Sequence, residues 1–96
     1  MDNLVAQPSF QEGARLIITV YAAQHHGIEI ARNDDLNEVI EAARRHLRDL
    51  PGRRPEGSRI LTLVGNHTIR IRLVGPDGAP LATEVQVTAG FRRRDP

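Results

Sequence analysis

Four histidines, two serines and thirteen arginines are the side chains of this sequence best equipped for chemistry. Nucleophilic catalysis needs a hydroxyl beside a base. Ser9 is wanted as a helix cap and Ser58 falls in a connector, and no spacing ties either to His25, His26, His46 or His67. An enzyme is therefore not expected. Metal binding fares no better. His25 and His26 are adjacent, about 100° apart on a helix, whereas a helical site wants ligands at i and i+4. Asn33-Asp34-Asp35 lacks the glycine that a calcium loop needs at its turn. With no cysteine, thiolate ligands and disulfides are excluded. With no lysine, a phosphate loop of the Walker type cannot be built. No cofactor and no metal are expected.

Arginine is what remains. Every Lys/Arg-type base is arginine, which GC-rich coding alone can produce, and the distribution is uneven. Residues 1–41 hold seven acids against Arg15 and Arg32, and residues 42–96 hold the other eleven arginines against five acids. Arg44, Arg45, Arg48, Arg53, Arg54 and Arg59 lie close together, Arg70 and Arg72 alternate with Ile69, Ile71 and Leu73, and Arg92–Arg94 form a basic tail. Guanidinium groups suit planar carboxylates of a protein partner and equally the phosphates of a nucleic acid. Only three aromatic residues, Phe10, Tyr21 and Phe91, are present, so no base-stacking platform is expected.

These side chains need elements to hold them. Ser9-Phe10-Gln11-Glu12 has the form of a capping box. Phe10, Ala14, Ile17, Ile18 and Tyr21 recur at helical spacing, and His25-His26-Gly27 resembles a helix end. The β-branched content of RLIITVY argues for a strand instead. The cap and the glycine stop tip the expectation to a first helix. Residues 28–32 alternate and read as a short edge strand or an extended connection. A second helix is expected from Leu36 to about Asp49. Asp35 is its cap, its apolar stripe is Leu36, Val39, Ile40, Ala43, Leu47 and Leu50, and Glu41 is spaced for ion pairs with Arg44 and Arg45.

From Ser58 the period changes from helical to two. Strands are expected over 59–64, 67–74 and 80–88, the last ended by Ala89-Gly90, with a Pro-Asp-Gly turn at 75–79. A five-residue loop there places Leu73 opposite Leu81, Ile71 opposite Thr83, Ile69 opposite Val85, and Arg70 opposite Glu84. The expected architecture is α+β: two N-terminal helices packed on a C-terminal three-stranded antiparallel meander, with a possible edge strand at 28–32. A chain of 96 residues is one domain, 1–96, with 1–8 and 91–96 as flexible ends.

The longest apolar run, Leu16–Ala23, is short of the roughly 20 residues that cross a bilayer, so no membrane span is expected. The opening MDNLVAQ carries no basic residue, so a secretory signal is not expected and a cytoplasmic location is. The functional expectation is a non-catalytic protein-interaction module, with a homodimer as the expected assembly. It binds through a sheet edge and the surface formed by Arg44, Arg45, Arg48, Arg53, Arg54, Arg59, Arg70 and Arg72. The alternative is a nucleic-acid-binding protein using the Arg44–Arg59 and Arg92–Arg94 clusters on phosphates.

Overall fold

The computed structural model of the chain describes residues 17–93. Six elements follow one another: β1 (Ile17–His25), β2 (Ile28–Asn33), α1 (Leu36–Arg48), β3 (Arg59–Val64), β4 (Ile69–Val74) and β5 (Val85–Arg93). The strands form one antiparallel sheet in the order β2-β1-β5-β4-β3, with α1 laid on one face. Among the described residues the expected two helices on a three-stranded meander are thus replaced by one helix on a five-stranded sheet. The Ser9–Glu12 capping box lies outside the described residues.

The correction at 17–25 has a clear physical source. Ile17, Ile18, Thr19, Val20 and Tyr21 prefer the pleated surface. His26 and Gly27, with φ of 57° and 75°, form a two-residue turn between the paired residues His25 and Ile28. Two successive left-handed residues match the twist of a tight hairpin. A helix end wants that same left-handed conformation, which is why Gly27 also fits the pattern of a helix stop. β2 is the strand expected at 28–32, and a register shift between Ala23 and Gln24 leaves Ile30 as the extra residue of a bulge.

α1 matches its expected cap and stripe. Asp35 Oδ1 accepts the Asn37 N–H at 3.0 Å, and Glu38 sits in the first turn. Val39, Ala43 and Leu47 are fully buried, and Leu36, Ile40 and Leu50 pack beside them. They meet Ala23 of β1, Ile71 and Leu73 of β4, and Val85 and Val87 of β5, which makes one aliphatic core on the inner face of the sheet. The Glu41 pairs are not formed among the described residues; Arg44 turns to β3 instead.

The register of β4 on β5 also differs. Near the turn the expected alignment holds: Gly75 N–H donates to Ala79 O, Leu81 N–H donates to Leu73 O, and Val74 bridges Pro80. Beyond it Ile71 pairs with Val85, Arg70 with Gln86 and Ile69 with Val87. Residues 82–84 therefore carry two more residues than the opposing strand, and the slip is by two. A slip by two leaves every side chain on its expected face. β5 does not stop at Ala89-Gly90 but runs on beside β1 to Arg93.

At Gly27 an added Cβ would meet no atom within 4 Å, so only backbone strain opposes a side chain. Gly27→Ala is expected to destabilise the fold by about 1–2 kcal/mol, seen as a lower urea midpoint at unchanged slope.

Candidate interaction surfaces

The eight arginines expected to form one surface divide between two. Pairing fixes the sides. Arg59 opposes Val74, Arg72 opposes Leu61 and Arg70 opposes Leu63, which puts all three arginines on the outer face of the sheet, away from α1. Arg44, Arg45 and Arg48 belong to α1, and Arg53 and Arg54 to the loop after it, on the inner side. The sheet separates the two groups.

Three of the eight are occupied. The Arg54 guanidinium caps the end of α1, donating to the carbonyls of Leu47 at 2.8 Å and Leu50 at 3.2 Å, and to that of Arg48. These are carbonyls that a helix end leaves without partners. Arg44 Nη1 donates to Ile60 O at 3.3 Å and Thr62 Oγ1 at 3.0 Å, tying α1 to β3. Arg72 Nε donates to Glu84 Oε1 at 2.8 Å. The cross-strand partner of Glu84 is thus Arg72, not Arg70, as the two-residue slip requires. That hydrogen bond holds the Glu84 carboxyl below its ordinary range, with the nearby charges of Arg72 and Arg70 adding to it. Arg45, Arg48, Arg53, Arg59 and Arg70 are exposed.

The strand edges can be assigned from the ladder. Gly65 N–H donates to Thr68 O, so odd-numbered residues of β3 bond to β4, and Ile60, Thr62 and Val64 turn their N–H and C=O groups to the open edge. Arg44 occupies the Ile60 carbonyl. The Thr62 and Val64 groups have no partner among the described residues. The same counting turns odd residues of β4 toward β5, and therefore Ala89, Phe91 and Arg93 of β5 toward the side where β4 has already ended. At the far edge, β2 is blunted by its bulge and by the exposed Glu29–Arg32 ion pair at 2.7 Å.

A histidine chain joins three elements. His25 is buried and alternates inward with Tyr21 and Ala23. Its Nε2 lies 3.0 Å from Thr83 O, and because a carbonyl only accepts, that nitrogen carries the proton. Its Nδ1 accepts from His46 Nε2 at 2.9 Å. The His26 ring lies against that of His25, tilted by 46° with the centroids 4.2 Å apart. Burial lowers the His25 pKa from its ordinary 6.5; the Thr83 carbonyl opposes this, and His26 and His46 add to it. Beside the chain is an open cleft of about 450 Å³, lined by His26, Arg53, Leu81 and the committed Arg54. Among the described residues no group of three His, Cys, Asp or Glu side chains is placed to hold a metal ion. No helix among the described residues is long and apolar enough to cross a membrane.

His25 carries a lowered pKa in the folded state, so the unfolded chain binds its proton first as pH falls. The contribution of His25 to folding stability is therefore fully present above pH 6.5 and is lost as pH drops from 6.5 toward the folded pKa. Thermal melting at pH 7.5 and 5.5 is expected to show a lower transition at the acid value, and His25→Gln is expected to flatten the difference. Arg72→Ala is expected to cost roughly 0.2–1 kcal/mol in denaturant unfolding at neutral pH. Neither a protein-family model, nor a curated protein, nor a solved structure matches this chain.

Proposed function

We propose that this chain is a non-catalytic protein-interaction module that works by adding a strand from a partner to an open edge of its sheet, and that a second copy of itself is the partner those edges suit. The observation that carries the reading is the pair of unguarded edges. β3 offers the backbone groups of Thr62 and Val64, and β5 those of Ala89, Phe91 and Arg93, with Val64 77% and Phe91 79% exposed. An edge strand of that kind is a template for another strand unless charge, proline, a bulge or a cover blunts it. β2 has such devices; the other two edges have little beyond Arg44.

A second reading rests on a different feature. Arg59 and Arg70 are exposed on neighbouring strands of the outer face, with Arg92 of β5 on that face too, beside the buried Val74, Val20 and Ala22 and the Glu84-paired Arg72. Such a face suits a phosphate backbone.

Light scattering coupled to size exclusion, at low and high salt, separates the two. Strand addition predicts about twice the 10.7 kDa chain mass at both salt concentrations, since main-chain hydrogen bonds and apolar contacts are little screened. A monomer at every concentration overturns the first reading. Retention on heparin that falls steeply with salt, by a monomer, establishes the second.

A further inference from the structure

We infer that the second copy pairs along β5, antiparallel, with the two-fold axis at Phe91; this rests on the strand-addition reading above and specifies its edge and register. β1 and β5 continue past the rest of the sheet. β2 pairs with β1 only over Tyr21–His25, and β4 with β5 only over Val85–Val87, whereas β1 and β5 stay paired from Ile17–Arg93 onward. Residues 17–20 and 90–93 are therefore a two-stranded ribbon with no described strand along either edge, although Val20 within it is buried on the outer face. A two-stranded ribbon gains stability when a further strand joins it. This one also exposes Phe91, at 79% the most exposed large apolar residue described, and Ile17 at 58%.

The free edge of β5 is self-complementary. Identical strands meeting antiparallel about a two-fold axis place residue i opposite j and j opposite i. Centred on Phe91, Ala89 meets the partner's Arg93 and Gly90 meets the partner's Arg92. Ala89, Phe91 and Arg93 are the residues whose N–H and C=O groups point outward, so each finds its ladder bonds without disturbing β1. The register sets the two Phe91 rings side by side on the inner face. It puts no arginine opposite another, and it lays each Arg92 across a glycine where an added Cβ would meet open space. The ribbon becomes four strands, β1-β5 and their symmetry mates.

The neighbourhood of the edge leaves room. Between the 65–68 turn and Thr88-Ala89 is a notch of about 440 Å³, lined also by Tyr21, Leu36 and Val87, into which the partner's strand end runs. β3 is the poorer choice. A two-fold pairing centred on Thr62 would need the Ile60 carbonyl that Arg44 holds.

The chain has no cysteine, so single cysteines report without background. Phe91→Cys is expected to form a disulfide-linked dimer on mild oxidation, because directly paired, hydrogen-bonded residues stand about 5.5 Å apart, within disulfide reach. Val64→Cys, equally exposed on β3, is expected not to. Phe91→Glu opposes two carboxylates at the axis and is expected to reduce the mass by light scattering from dimer to monomer. Ala89→Pro deletes only an outward N–H and is expected to do the same, with circular dichroism checking that both variants fold. If the wild type is a dimer but both variants stay dimeric, or Val64→Cys cross-links instead, the β5 register is wrong while strand addition stands. If the wild type is a monomer throughout, both readings fall.

Discussion

The fold depends on one contact: the Val39-Ala43-Leu47 stripe of α1 set against Ala23, Ile71, Val85 and Val87 of the three central strands. Both alanines are fully buried. Small residues at the centre let the helix approach closely, and the larger aliphatic groups around them fill the space to the density that protein interiors reach. The other arrangements follow from that seat. Asp35 and Arg54 cap the two ends of a helix whose position is already fixed, and His46 is carried to His25 because α1 ends over the β1–β2 hairpin.

Legibility in the sequence varied with how local the signal was. α1 was readable to within a residue because cap, charge order and apolar stripe all lie inside it. β3 was readable from an aliphatic, β-branched run between Gly57 and Gly65, although Ile60, Leu61, Leu63 and Val64 put apolar groups on both faces and left its orientation open. β1 was misread for a physical reason. Its β-branched run pointed to a strand, but a left-handed glycine is equally at home after a helix and inside a hairpin, and only long-range pairing with β5 decides between them. The two extra residues at 82–84 left no mark in the pattern, since a period of two is unchanged by a shift of two. Strand addition by β5 to β1 across the whole domain was not legible at all; it joins residues at opposite ends of the chain.

The arginines show how far proximity in sequence is from proximity in space. Arg54 and Arg59 are five residues apart and lie on opposite sides of the sheet, one closing a helix and the other on the outer face. Arg44 and Arg72 serve as braces, to β3 and to Glu84. The histidine chain was missed because His25 was placed on a helix. Once Tyr21, Ala23 and His25 are taken as alternate residues of a strand, His25 turns inward toward α1.

The spare pair of residues at 82–84 has a consequence for how the domain tolerates change in length. Residues 82–84 lie outside the ladder, and β5 takes its register from eight pairs with β1, so this connector can absorb a change in length by looping while Val85 and Val87 keep their place against α1. A slip by one within the β1–β5 ladder itself would turn Gln86 into the core and bring both valines out to water. The slack sits where the sheet does not read it, which makes 82–84 the segment of this domain best placed to accept an inserted residue.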